Sequence, residues 1–309
     1  MTVIPPPGSP AEHAATEAFA CHRELLFSVV YSMLGGITDT EYVLHETWLE
    51  WARRRPEPGR GADRRPRAWL LRTAVRRALA GEDAVARRRA AYLGPWLPEP
   101  LVSPLDAETG AERGPASGHV APVPVAMLVR LAGLAPLERA VFVLSEVAGC
   151  GREEIAQIVG RAPAAVGELA RRARASTEGD QPRHQADPRV RQRIIARFGA
   201  AMLGGDLAAF ERLLAPEVTI QTDSGGKAPA AGPCGVHRRD QAARLLAAGG
   251  YQPRAGAEVR CRRVNGEPSL VVTDAGVPFT VLVLEVEPDG ARVCGIYAVT
   301  NPDKLARAG

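Results

Sequence analysis

Residues 136–175 read as two short helices, a glycine turn and a third, basic helix. Pro136 opens the first helix, and Leu137, Val141, Leu144 and Ala148 recur at three- and four-residue spacing as one apolar stripe. Gly149-Cys150-Gly151 breaks it. Residues 153–159 turn Ile155, Ile158 and Val159 inward, and Gly160-Arg161-Ala162 makes a tight turn. Pro163 stands at a first helical position, where its missing N–H is not needed. Val166, Leu169 and Ala173 then face inward while Arg171, Arg172 and Arg174 point outward. Reading the DNA major groove requires such a pattern. A plain helical hairpin with a solvated arginine face also fits it.

At 309 residues the chain has room for two or three domains. Its net charge is only +4, but residues 51–92 hold thirteen arginines against four acids. A positive segment of that kind suits phosphate contacts. Arginine is abundant throughout, however: of 39 basic residues only Lys227 and Lys304 are lysine, so arginine counts alone weigh little. The five cysteines are scattered, with no C-x-x-C pair and no histidine cluster, so no metal or cofactor is expected. The first ten residues lack a signal-peptide pattern, and no apolar run is long enough to span a bilayer. A soluble cytoplasmic protein with no membrane partner is expected.

Six segments follow from composition and periodicity: a disordered N-terminus (1–14), a helical domain (15–92), a Pro-rich linker (93–125), the helix-turn-helix (126–176), a second linker (177–188) and a last domain (189–309). In the first helix Leu26, Val30, Met33 and Leu34 face inward, and Gly35-Gly36 stops it. Thr38 and Glu41 form a predicted capping box for the second helix. The last domain has helices over 189–203 and 206–214 and within 235–248, followed by strands over 258–264, 269–273, 279–287 and 292–299. Asn265-Gly266 and Asp289-Gly290 are hairpin turn signals. Helices followed by an antiparallel meander predict an α+β domain, one curved sheet wrapped on helices.

Several motifs point to one family. Leu137-Glu138-Arg139-Ala140-Val141-Phe142-Val143-Leu144 and Glu153-Glu154-Ile155-Ala156 resemble the promoter-reading helix-turn-helix of sigma region four. Asp39-Thr40-Glu41, Glu46-Thr47-Trp48-Leu49 and Ala68-Trp69-Leu70 resemble sigma region two. Tyr92-Leu93-Gly94-Pro95-Trp96-Leu97-Pro98-Glu99-Pro100 resembles the linker signature of a group with a fused SnoaL-like domain. Asp223-Ser224-Gly225-Gly226-Lys227 resembles its D-G-G-G-K loop, and Asn301-Pro302-Asp303-Lys304-Leu305 its terminal motif. Over about residues 15–306 the chain therefore resembles an extracytoplasmic-function RNA polymerase sigma factor with a C-terminal SnoaL-like domain.

That resemblance implies two all-α domains followed by an α+β cone, with core RNA polymerase and promoter DNA as partners. It implies polymerase contacts at Asp39, Glu41, Glu46, Trp48 and Leu49. DNA contacts fall on Arg72, Arg76, Arg77, Arg87, Arg88, Arg89, Arg161, Arg171, Arg172 and Arg174. Trp96, Leu97, Pro98, Glu99, Pro100, Asp223, Lys227, Asn301, Pro302, Asp303 and Lys304 form a regulatory docking system, in which Lys227 is expected to reach an acid such as Glu99. Both lysines of the chain lie in these motifs, where a small flexible ammonium does what a planar guanidinium cannot.

The chain departs from the family at three places. Tyr42 and His45 replace an acid and a glutamine on the polymerase-facing helix. Gly81-Glu82-Asp83 interrupts the promoter-melting helix and is expected to set acids where DNA phosphate passes. Gly167-Glu168 replaces Arg-Gln on the recognition helix, so phosphate contacts should outweigh base contacts. The competing reading is a protein that has lost promoter recognition and uses the SnoaL-like cavity as a small-molecule sensor or a cyclase/isomerase-like enzyme. Asp223, His237, Tyr251 and Asp274 would then be its general acid–base candidates. Spacing pairs none of them, and a catalytic role is not assigned.

Overall fold

The structure, a computed structural model, describes residues 10–54, 66–105, 122–178, 186–227, 236–248, 251 and 258–306. The chain divides into two compact units. Residues 1–9 and most of the second expected linker, 179–185, lie outside the described residues.

The first unit comprises residues 1–86, 108–122 and 130–177. Its helices are α1 (Pro10–Leu34), α2 (Ile37–Arg54), most of α3 (Pro66–Ala90), the end of α4 (Val125–Ala132), α5 (Pro136–Glu146), α6 (Arg152–Val159) and α7 (Pro163–Glu178). The stripe Leu26, Val30, Met33 and Leu34 of α1 is buried, with Leu44 and Trp51 of α2 and Leu70, Leu71, Val75 and Ala78 of α3. The Trp51 indole N–H donates to the Ala15 carbonyl at 2.9 Å, which satisfies its polar atom inside the core. Residues 10–14 are helical rather than part of an irregular N-terminus. The predicted capping box is also absent. Helix α2 already begins at Ile37, so Thr38 lies within its first turn, and the Gly36 carbonyl accepts from both the Thr40 N–H (3.1 Å) and the Thr40 hydroxyl (2.7 Å). The two glycines end one helix and start the next without a threonine cap.

In the helix-turn-helix, Gly160 adopts φ 64° and closes α6, and Pro163 starts α7. Val166, Leu169 and Ala173 are buried as expected. One buried charge ties this segment to the rest of its unit. Arg139 of α5 donates to Glu82 of α3 at 2.9 and 3.2 Å, and to the carbonyls of Met33, Leu131, Ala132 and Leu134 at 2.8–3.2 Å. Glu82 therefore does not face DNA phosphate as expected: its side chain is 7% exposed and pairs with Arg139. Asp83 beside it is exposed.

The second unit comprises residues 87–107, 123–129 and 178–309. Helices α8 (Pro188–Gly204), α9 (Leu207–Leu213) and α10 (Arg239–Ala247) pack on a seven-stranded sheet, and α11 (Pro302–Leu305) follows it. The strands are β1 (Val102–Ser103), β2 (Leu214–Asp223), β3 (Val236–His237), β4 (Glu258–Val264), β5 (Glu267–Asp274), β6 (Val277–Val286) and β7 (Val293–Val299), in spatial order β1-β4-β5-β6-β7-β2-β3. All pairs are antiparallel except β2 with β7. The result is the SnoaL-like α+β cone. Asn265 (φ 50°) and Gly266 (φ 80°) form the tight β4–β5 turn that their sequence announces.

Both faces of the central strands β5, β6 and β7 are largely buried. Leu270, Val272, Leu282, Leu284, Ile296 and Ala298 share one core with Phe198 of α8, Phe210 of α9 and Tyr251. Their neighbours Val271, Val281, Val283, Tyr297 and Val299 point the other way, as the period-2 geometry of strands demands. Leu97, Val125, Ala126 and Leu305 cover that second face. The described part of the Pro-rich segment is thus no free tether. Residues 102–103 add an edge strand to β4, and the Asn265 amide and carbonyl oxygen bond to the segment at Val123 (3.2 Å) and Leu101 (3.1 Å).

Candidate functional site

On α2, Asp39, Glu46, Trp48 and Leu49 lie half-buried and Tyr42 and His45 are exposed. Both carboxylate oxygens of Glu41 accept from one guanidinium nitrogen of Arg23, at 2.7 and 2.9 Å. With Phe19, Leu44, His45 and Trp48, this ion pair lines a hollow of about 290 Å³ between α1 and α2. Glu46 and Glu50 hold Arg77 at 3.0 and 2.7 Å, and Glu50 also holds Arg76 at 2.9 Å. Partial burial would raise the Glu50 carboxyl's pKa, but Arg77 and Arg76 outweigh it and hold it below the usual value. Arg76 and Arg77, expected on DNA, are thus engaged by acids, while Arg72, Arg87 and Arg88 are exposed. The Arg89 guanidinium lies 3.9 Å from the Trp96 ring centroid.

On the recognition helix α7, Arg171 pairs with Glu168 at 2.6 Å, Arg172 with Glu138 at 2.9 Å and Arg174 with Glu146 at 2.7 Å. All three remain exposed, as does Arg161 in the turn. Pro163, Ala164 and Ala165 at the start of the helix are exposed too, and none has a side-chain donor.

The most densely connected site lies in the second unit, around Asp223 at the end of β2. Asp223 is fully buried. Its carboxylate accepts from the Tyr92 hydroxyl at 2.5 Å, the Leu97 N–H at 2.8 Å and the Lys304 ammonium at 2.7 Å. Its carbonyl accepts from the N–H groups of Thr300 and Asn301 at 2.8 and 3.0 Å. Lys304 is 8% exposed, donates to the Leu97 carbonyl at 2.5 Å, and lies 4.2 and 5.0 Å from the ring centroids of Trp96 and Tyr92. Asn301 closes the circuit, donating to the Tyr92 hydroxyl at 2.6 Å. Burial, then the hydrogen bond to Asp223, pushes the Tyr92 phenol well above its ordinary pKa. Burial lowers that of Lys304, with Asp223 opposing.

The glycines of the loop make this closeness possible. A Cβ on Gly225 would stand 2.4 Å from the Asn301 amide nitrogen and 2.9 Å from the Tyr92 oxygen, and one on Gly226 would stand 2.5 Å from Leu93. Both also have φ above +50°. The expected partner of Lys227 is different: it pairs with Asp303 rather than Glu99, and both side chains are more than half exposed. Of the two lysines, Lys304 is the buried one. Pro98 and Pro100 are buried and Glu99 half-buried along the same segment, and Pro302 and Asp303 stand in the short α11, which Asn301 caps at 3.0 Å.

The four acid–base candidates do not converge. Asp223 is saturated by the contacts above. His237 is exposed in β3, Asp274 lies at the β5–β6 turn, and the buried Tyr251 hydroxyl bonds to Thr222. Phe198, Phe210, Met202, Leu246 and Tyr251 fill the inside of the cone.

Residues 18–90 match the family description "Sigma-70 region 2" and residues 125–176 "Sigma-70, region 4". The chain is 33% identical over 300 residues to the ECF RNA polymerase sigma factor SigJ of Mycobacterium tuberculosis (strain ATCC 25618 / H37Rv), covering 93% of this chain and 92% of that one. This chain belongs to the ECF RNA polymerase sigma factors. The crystal structure of Mycobacterium tuberculosis SigJ superposes with a TM-score of 0.71 at 30% identity, covering 95% of this chain and 98% of that one. A second relative, the probable ECF RNA polymerase sigma factor SigI of Mycobacterium tuberculosis (strain CDC 1551 / Oshkosh), is 26% identical over 210 residues, 67% of this chain and 69% of that one.

In this sigma factor, region 2 coincides with α1–α3 and region 4 with α4–α7. The Asp223 site involves the segment between them and the SnoaL-like domain. The sequence shows its three motifs but gives Tyr92 no role, and it does not disclose the pairing of Arg139 with Glu82. For Tyr92 the signal was its place at the head of the linker motif. No sequence signal pairs Arg139 with Glu82, which are 57 residues apart.

Proposed function

We propose that this transcription-initiation sigma factor acts in the cytoplasm, binding core RNA polymerase through the α2 surface around Asp39, Glu41, Glu46, Trp48 and Leu49. Region 4 holds promoter DNA mainly through phosphates, and the SnoaL-like domain regulates the output. The observation that carries the regulatory part is the Asp223–Lys304 clasp on Tyr92 and Leu97. That clasp, the β1–β4 pairing and the packing of Val125 and Ala126 fix both ends of the segment joining region 2 to region 4. A segment held this way sets the reach between two DNA-reading modules, which a free linker would leave variable. Opening the clasp shifts an equilibrium between restrained and released states, and couplings of that kind are on the order of 1–3 kcal/mol.

Two assays test the reading. Competition with the principal sigma factor for core polymerase checks the α2 surface, and no displacement at micromolar protein contradicts it. Transcription by Lys304→Ala, compared with wild type at equal polymerase occupancy, checks the clasp. A changed output supports regulation, and an unchanged one contradicts it.

A further inference from the structure

The helix-turn-helix presents five exposed arginines: Arg152, Arg161, Arg171, Arg172 and Arg174. Acids hold the last three. Among the described residues no hydrogen bond or ion pair engages the side chain of Arg152 or Arg161. Arg152 nevertheless has a defined seat. It is the first residue of α6, and its guanidinium lies on α7 at Gly167, where a Cβ would stand 3.4 Å from Cζ, 3.6 Å from Nε and 3.7 Å from Nη1. A side chain longer than alanine at 167 would occupy the guanidinium's space. A methyl group at 167 would sit in ordinary contact with the guanidinium, so the seat admits glycine or alanine and is closed to larger side chains.

The position has a meaning in this motif. The first helix of a helix-turn-helix crosses the DNA backbone while the start of the second enters the major groove. A guanidinium carried by the first helix and resting on the second therefore stands beside the phosphates that flank the groove. Its planar fork matches phosphate oxygens and needs no prior ion pair to break.

We propose that Arg152, seated on Gly167, is a phosphate-contacting residue of region 4. It offers the charge that Arg171, Arg172 and Arg174 share with their acids. A solvated arginine lying idly along a helix is the alternative. The proposal rests on the promoter-binding reading above and adds a residue to it.

The test uses holoenzyme assembled from the full chain and bacterial core polymerase. It selects duplexes from a random-sequence pool, and affinity for a selected duplex is followed through a salt series. Arg152→Ala should weaken binding about tenfold at low salt, as loss of one charge-assisted hydrogen bond does. It should also flatten the slope of log K against log salt by about 0.9, the value for one phosphate. Gly167→Leu, which favours the helix, should give the same loss by unseating the guanidinium, and the double variant should be no worse than either. Unchanged affinity and slope in Arg152→Ala, or additive losses in the double variant, overturn the proposal. So does a loss of base discrimination at constant slope, which would mean a base contact. If wild-type holoenzyme selects no duplex, the promoter-binding reading itself falls.

Discussion

The two lysines of the chain show how far a residue's role depends on burial. Lys304 is enclosed by Asp223, the Leu97 carbonyl and two aromatic rings, whereas Lys227 meets Asp303 in the open. Lys304→Arg should lower the stability of the C-terminal domain by about 2 kcal/mol or more, because a planar fork is forced into a site built for an ammonium. Lys227→Arg should stay within about 0.5 kcal/mol, as exposed pairs do. Hydrogen exchange of β2 and β7 separates the two. The cysteines give a second prediction at this scale. Burial, reinforced by the charge of Glu154, pushes the Cys150 thiol up to about 11, whereas Cys21 is exposed. The thiolate is the reactive form, so iodoacetamide at neutral pH should label Cys21 in the folded protein and leave Cys150 unlabelled until unfolding. Mass spectrometry reads this directly, and equal labelling of the two contradicts it.

At the scale of elements, the short loop Asp223–Lys227 and the helix α5 carry the largest expected effects. Gly225→Ala combines a positive φ with a collision against Asn301 and Tyr92, and should cost about 1–3 kcal/mol, read as earlier unfolding at Trp96 in a urea titration. Arg139→Ala leaves Glu82 buried without its cation, and should cost the helical unit about 3–5 kcal/mol. Glu82→Gln, which keeps an acceptor, should cost less in the same titration. These elements also mark what the sequence discloses. Helical periodicity locates α5–α7, and Asn265-Gly266 locates a hairpin, because both signals are local. No local signal announces strand β2: it follows α9 without a break, and its paired residues in β7 lie 76–79 positions on. In β6, Val281, Leu282, Val283 and Leu284 are apolar on both faces. That run says that something covers the outer face but not what, since the cover comes from Leu97, Val125 and Ala126. The clasp residues were legible as motifs and illegible as contacts. Charge alone matches Lys227 to Glu99, and charge does not say which acid is near. Glu82 reads as a misplaced acid in the sequence because its cation is 57 residues away.

For the whole molecule, the SnoaL-like domain is tied to the segment joining the two sigma regions at several points, and an independent enzyme would need none of them. The measurement that tests this most directly is transcription in vitro at matched concentrations by three forms of the protein: full length, lacking residues 301–309, and cut within 176–188 with the C-terminal domain removed. The first keeps the clasp, the second loses Asn301 and Lys304 but keeps the sheet, and the third loses both. Three different outputs from one template are expected. Identical output from all three would contradict the account and make the C-terminal domain a passenger.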